Sequence, residues 1–323
     1  MSASAYDAVL LVSFGGPEGP DDVMPFLDNV LRGRDVPDAR RQAVAHQYRR
    51  FGGVSPINGH NRELLAAIRE ELETHGPDLP VYWGNRNWHP LLADTVATMG
   101  ADGITRALAF VTSAYSSYSS CHQYLDDLSR ARQAVGPGAP TIDKIRPFFN
   151  HPGFVEPSAD RLRVARRQAG SDAPVLFSAH SIPRSMAAAS DYERQLREHA
   201  RLVAERADAP DWQLVFQSRS GPPGQPWLEP DVRDAIAALA ADHDRVVVAP
   251  IGFVSDHMEV VFDLDTQAAA LAADLGVTLV RAGTVGTDPR FVTMVRQLVV
   301  ERLDPRAARL ALGDLGPAPD RCA

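Results

Sequence analysis

Short apolar runs alternate with longer segments of helical period along almost the whole chain. Strand-length runs rich in Val, Ile and Leu recur at Ala8 to Phe14, Val81 to Trp83, Ile104 to Thr112, Pro174 to Phe177, Gln213 to Gln217, Arg245 to Phe253 and Val277 to Arg281. Between them, apolar positions three and four apart predict helices over Asp21 to Leu31, Asp38 to Phe51, Asn61 to His75, His122 to Ala134, Phe154 to Gln168, Asp191 to Ala207, Asp231 to Ala241 and Pro289 to Arg302. The strand runs are continuously apolar rather than alternating, as expected of strands buried on both faces in a parallel sheet covered by helices. The pattern therefore predicts an α/β protein. The cluster Gly136-Pro137-Gly138-Ala139-Pro140 interrupts it, which places a domain boundary around 145 to 150. The halves echo each other: one run continues as Ser113-Ala114-Tyr115-Ser116 and another as Ser178-Ala179-His180-Ser181.

At 323 residues the chain has room for two domains, each with its own core. Its 45% hydrophobic and 23% charged residues are those of an ordinary globular protein. A net charge of -8 argues against nucleic acid as the main partner, because a phosphate-binding surface needs a basic stripe. The N-terminus lacks a basic region, its apolar run is too short for a signal or spanning segment, and no run of 18 apolar residues occurs elsewhere. A cytoplasmic protein without a transmembrane segment is expected. Two cysteines, Cys121 and Cys322, cannot build a disulfide framework, and in such a compartment they read as free thiols.

The chemistry concentrates in Pro250 to Asp265, where a buried run ends in Asp256, His257, Glu259, Asp263 and Asp265. Ligands in open α/β sheets collect at that end of a strand. A second run ends at His180, so an imidazole and a carboxylate can meet there, a pair suited to a divalent metal or a proton transfer. Plainer alternatives exist for both motifs. A histidine at a strand end can be structural, and Asp256 can cap a helix whose Glu259 closes a capping box. Glu259, Asp263 and Gln267 recur every four residues; they drift by about 40° per step on a regular α-helix, whereas a π-turn brings them closer to one line. An ordinary polar helix face remains the alternative. The turn Gly15-Gly16-Pro17-Glu18-Gly19 lacks the glycine spacing of a dinucleotide fingerprint.

Taken together, the blocks LLVSFGGPEG at 10 to 19, Tyr48 through Ser55-Pro56, Thr112 through Ser117, SAHSIP at 178 to 183, Phe216-Gln217-Ser218-Arg219 through Trp227, and PIGFVSDHMEVVFDLD at 250 to 265 resemble the ferrochelatases, in order and over about Tyr6 to Leu303. The resemblance implies two Rossmann-like domains with parallel sheets and a porphyrin cleft between them: 1–147 joined by a C-terminal helix 288–303, then 148–287, then a tail 304–323. It implies insertion of ferrous iron into a free-base porphyrin with release of two protons. His180 and Glu259 match the family's metal-insertion pair, assigned jointly, with Asp256 and His257 as orienting groups and Asp263 on a proton path. Gln267 departs from relatives that carry a third carboxylate. Glu18 stands where several relatives place a tyrosine, and is either an axial contact or a solvated loop residue. Tyr48 and Ser55 align with propionate-holding positions of coproporphyrin-using relatives, and Arg49 and Ser116 are further candidate donors.

The Arg- and Ala-rich form resembles the actinobacterial enzymes, which implies coproporphyrin III as substrate and coproheme as product. The alternatives are protoporphyrin IX or, on the same fold, a non-catalytic tetrapyrrole carrier. Many such relatives hold a [2Fe–2S] cluster on four cysteines; with two, none is expected here, and no cofactor beyond the substrate iron. A monomer is expected, meeting neighbouring heme-pathway enzymes only transiently.

Overall fold

The structure is a computed structural model that describes residues 6–33, 35–221 and 224–320. These cluster into two compact units. One holds the chain up to Thr112 with Gln123–Ile145 and Val295–Ala307; the other holds Ser113–His122, Arg146–Met294 and the chain from Ala308 on.

In the first unit β1 (Ala8–Ser13), β2 (Val81–Asn85), β3 (Arg106–Val111) and β4 (Thr141–Lys144) form a parallel sheet in the order β2-β1-β3-β4. β1 is buried along its whole length, which is why it reads as an unbroken apolar run. Ala8, Leu10, Val12, Ala107, Ala109 and Val111 pack against Leu92, Val96 and Met99 of the helix Leu92–Ala101 and Tyr124 and Leu128 of the helix Gln123–Val135. The alanines on that sheet face let the helices approach closely. Neither β4 nor the helix Leu92–Ala101 was expected. β4 is a polar edge strand, exposed at Thr141 and half-buried at Ile142 and Asp143, so it carries no apolar run. The helix Pro289–Leu303 supplies Arg296, bonded to Glu71 at 2.8 Å, and Arg302, bonded to the Tyr6 hydroxyl at 2.8 Å.

The second unit repeats the plan. β5 (Val175–His180), β6 (Trp212–Gln217), β7 (Arg245–Ala249) and β8 (Thr278–Arg281) are parallel in the order β6-β5-β7-β8. Leu176, Val246 and Val248 pack against Val232 and Ile236 on one helix and Val260, Leu264, Ala268 and Ala272 on the segment Met258–Asp274. By topology β1 is the counterpart of β5, and β3 of β7. The sequence echo between the ends of the third and fifth strands therefore joins positions that are not equivalent.

Two further features bear on the site. The chain leaving β7 passes so close to the end of β5 that a Cβ on Gly252 would lie 2.7 Å from the Ala179 Cα, so only glycine fits. The tail beyond Ala307 is held by two buried side chains: Arg146 Nη2 donates to Leu310 O at 2.9 Å, and Asn150 Nδ2 to Leu312 O at 3.1 Å and Gly316 O at 2.8 Å. Cys121 lies buried in a π-helical turn, Tyr118–His122, and is disulfide-bonded. The free-thiol expectation fails for Cys121, because the compartment argument speaks to frequency and not to any one thiol. Cys322 lies outside the described residues. Among those residues, no helix is long and apolar enough to cross a membrane.

Candidate active site

His180 is the last residue of β5, and Glu259 lies in the first turn of the helix that follows the loop after β7. β5 and β7 are hydrogen-bonded neighbours, so two residues far apart in sequence end on one sheet edge. His180 Nε2 stands 3.5 Å from Glu259 Oε1. The other ring nitrogen, Nδ1, faces Ser181 O at 2.5 Å. A carbonyl can only accept, so Nδ1 carries a proton; with Nε2 protonated as well the ring is an imidazolium paired with Glu259, and on losing that second proton it presents the Nε2 lone pair of a metal-binding imidazole. The ring is further fixed through its backbone, since Tyr192 Oη donates to His180 O at 3.0 Å.

The helix starts differently from the capping box read in the sequence. The N-cap is His257, whose Nδ1 accepts from Glu259 N at 3.2 Å, and its ring packs edge-on to Phe253 at 4.8 Å. Asp256 does not cap; Arg281 and Thr284 hold its carboxylate instead. Gln217 at the end of β6 donates to Glu259 O at 2.8 Å. After one α-turn the helix widens into a π-helical stretch, Asp263–Ala268, and Thr266 Oγ1 bonds back to Val261 O at 3.2 Å. The spacing of Glu259, Asp263 and Gln267 is thus set on widened turns, in favour of the π reading. Asp263 accepts from the Ser218 hydroxyl. Ser218 follows β6 with φ 62°, an uncommon left-handed conformation for a residue other than glycine.

These groups perturb one another. Burial pulls the His180 pKa down, but the charge and hydrogen bond of Glu259 outweigh it and leave it raised. Burial pushes Glu259 up, and His180, with a smaller contribution from His257, holds it well below the ordinary carboxylate value. Asp263 is raised to about 6, by burial and then by the Glu259 charge, against the Ser218 hydrogen bond and the charges of His180 and Arg233. Tyr192 is kept a neutral phenol by burial and by Glu259. The site thus combines a metal-capable imidazole, an ionised carboxylate and a second carboxyl that exchanges its proton near neutrality.

Ser116 belongs to the same unit. Its N–H donates to Gln195 Oε1 at 2.7 Å, and Gln195 Nε2 donates to its Oγ at 3.0 Å. The adjoining Tyr115 donates to Ile251 O at 2.7 Å and meets Tyr192 edge-on.

The remaining candidates lie in the first unit. Tyr48 is on the helix Asp38–Arg50, half-buried and edge-on to Phe26 at 5.6 Å, with Arg49 exposed beside it. The following loop brings Ser55 N to Pro17 O at 2.8 Å, so Ser55 is buried under the Gly15–Gly19 turn. Glu18 in that turn is ion-paired with Arg62 at 2.5 Å. A concave surface lined by Arg69, Leu72, Asp78 and Tyr82 contains none of the candidates. Among the described residues, no three His, Cys, Asp or Glu side chains form a metal-holding group.

A ferrochelatase family model matches residues 6–303. The chain belongs to the ferrochelatase family. It is 56% identical to a ferrochelatase of Rhodopirellula baltica, covering 98% of this chain and 92% of that one. It is 55% identical to a coproporphyrin III ferrochelatase of Frankia alni (99% and 86% covered) and 51% identical to one of Streptomyces coelicolor (100% and 93%). Among solved structures, a Bacillus subtilis sirohydrochlorin chelatase in complex with cobalt superposes with a TM-score of 0.54 at 12% identity, covering 95% of this chain and 100% of that one. At that identity the likeness concerns the fold.

In this ferrochelatase-family chain, sequence reading missed Tyr192, Gln195, Arg233 and Arg281, each of which touches or perturbs a site residue. The one signal for them was indirect: Tyr192 and Gln195 share a predicted helix with Asp191 at its start, with nothing to show which side chains point to the site.

Proposed function

We propose that the protein inserts ferrous iron into coproporphyrin III, forming coproheme, with His180 and Glu259 carrying the metal transfer and the protons. The observation that carries this reading is the 3.5 Å His180–Glu259 pair on the shared edge of β5 and β7. Relatives named for coproporphyrin III at about half identity over nearly the full chain support the substrate. The Rhodopirellula relative's name specifies no porphyrin, which keeps protoporphyrin IX as the competing substrate.

Iron insertion replaces two N–H protons of the macrocycle with one divalent cation. His180 offers its Nε2 lone pair to the substrate iron, and imidazole with carboxylate suits iron(II). Glu259, kept ionised by its histidine neighbours, balances the cation's charge and collects the two pyrrole protons in succession, handing the first to Asp263 before it takes the second. Asp263, with its pKa near 6, takes the proton on and releases it at neutral pH. Asp256 and His257 serve the pair from behind, one by anchoring the loop and the other by capping the helix. Tyr48, Ser55, Arg49 and Ser116 supply donors for propionates. Glu18 belongs to the turn that covers Ser55, with Arg62 neutralising it.

The protein acts in the cytoplasm as a monomer, in passing contact with neighbouring heme-pathway enzymes, and it carries no [2Fe–2S] cluster. Cys121 is buried, which supports the absence of a cluster.

The test is a visible-absorption assay of purified protein with ferrous iron and each porphyrin. Higher kcat/KM with coproporphyrin III is expected. Equal values for the two porphyrins would remove the coproporphyrin assignment, and porphyrin binding without turnover would favour the carrier. Anaerobically purified protein should contain no acid-labile sulfide; stoichiometric sulfide would overturn the cluster statement.

A further inference from the structure

Arg281 is the last residue of β8, in register with Val248 of β7, and its side chain retains 19% of its exposure. One guanidinium holds two carboxylates of the acid-rich segment. Nη2 and Nη1 meet the two oxygens of Asp256 at 2.9 and 3.3 Å, and Nε meets Asp265 Oδ1 at 2.5 Å. Thr284 Oγ1 donates to Asp256 at 3.0 Å. Asp256 immediately precedes the His257 cap, and Asp265 lies two residues beyond Asp263 in the π-helical stretch. Arg281 therefore grips the segment on both sides of Glu259 and Asp263, from the end of a strand hydrogen-bonded to β7.

The geometry also divides the acidic residues. Asp256 and Asp265 are occupied by arginine, whereas Glu259 faces His180 and Asp263 faces Ser218. Two carboxylates that share one guanidinium are close together. Without that cation they repel, and their four oxygens form a ready oxygen-ligand set for a divalent ion.

Resting on the iron-insertion reading above, we propose that Arg281 is a positioning residue for metal delivery. It fixes the reach of Glu259 and Asp263 through Asp256 and Asp265, and it keeps those two carboxylates from capturing the metal off the productive path.

The experiment compares the full chain with its R281Q, R281K and D265N variants. It measures steady-state insertion at varied ferrous iron, porphyrin affinity by fluorescence quenching, and the number of bound Mn2+ ions by electron paramagnetic resonance. R281Q should lose roughly ten- to hundredfold in kcat/KM for iron, while porphyrin affinity stays within about twofold and about one further Mn2+ is bound. R281K, which keeps the cation but not the fork, should lose the extra Mn2+ site and recover part of the iron kcat/KM. Parental iron kinetics in R281Q would overturn the proposal, as would equal losses in iron and porphyrin affinity without a new Mn2+ site. If R281Q loses its cooperative thermal transition, D265N decides: a raised KM for iron with unchanged porphyrin affinity supports the proposal, and parental kinetics overturns it. Failure of the parent protein to insert iron would overturn the functional reading alone, because the Mn2+ counts of parent and R281Q still report on Arg281.

Discussion

β1 and β5 hold the same place in two sheets of the same strand order, yet their last register pairs are Ser13 with Asn85 and His180 with Gln217. In the first unit the polar groups at this edge are neutral and bond to one another and to backbone. Asn85 Nδ2 reaches Asn58 Oδ1 at 3.1 Å and His89 O at 3.0 Å, Asn58 Nδ2 reaches Gly16 O at 3.2 Å, and Thr112 Oγ1 reaches Ser13 Oγ at 3.1 Å. In the second unit the corresponding edge carries ionisable groups that face one another. The fold thus supplies two equivalent places for a site, and the side chains decide which carries ionisable groups and which a neutral network. A neutral network satisfies its own bonds and rigidifies its loops. An ionisable one holds charges whose balance changes when a metal or a proton arrives.

The comparison is broken most directly by removing chemistry from one edge at a time. His180→Ala and Glu259→Gln should each lower kcat/KM for iron insertion by about 10²–10⁴, whereas Ser13→Ala should change it by less than about threefold. Stopped-flow absorbance with a porphyrin-binding control checks this, and near-parental turnover in a folded His180→Ala or Glu259→Gln variant removes that residue from the mechanism. A smaller effect sharpens the first unit's share. Tyr48→Phe combined with Ser55→Ala should reduce kcat/KM for coproporphyrin III roughly ten- to hundredfold and change protoporphyrin IX much less, since each charge-assisted hydrogen bond contributes about 1.5–3 kcal/mol. Equal losses for both porphyrins would show that the pair does not read propionates.

The smallest effect is in stability. The buried histidines His151 and His199 both lie in the second unit. Burial, with the nearby Arg146 charge, lowers His151 to about 3; burial lowers His199 to about 4 against its hydrogen bond to Phe149 O. Between those values and the ordinary 6.5 the unfolded chain binds more protons than the folded one, so stability falls as pH drops. At pH 5.5 each histidine should cost about 1.4 kcal/mol relative to pH 7.5. Urea midpoints at the two pH values test it, with His199→Gln expected to flatten the slope; an unchanged slope rejects the assignment for His199.

Much of this was legible in the sequence because burial on two faces leaves continuous apolar runs, as in β1, β5 and β7. The Glu259–Asp263–Gln267 spacing carried the hint of a π-helical turn. β4 escaped because an edge strand need not be apolar. Arg281 and Tyr192 escaped for another reason: their partners lie 25 and 12 positions away, and only the folded sheet brings them together. His257 as cap was hidden as well, since the capping preference of aspartate pointed to Asp256, which Arg281 had already claimed.

The tail that lies across Arg146 and Asn150 has a practical consequence for anyone handling this chain. Leu310, Leu312 and Gly316 offer backbone carbonyls to two side chains with almost no exposure, Arg146 at 2% and Asn150 at 0%. Ending an expression plasmid's reading frame at the last helix would remove those acceptors, at about 1–3 kcal/mol for each buried hydrogen bond lost. An affinity tag therefore belongs at the N-terminus, and trimming the C-terminus for crystallisation should stop short of Gly316.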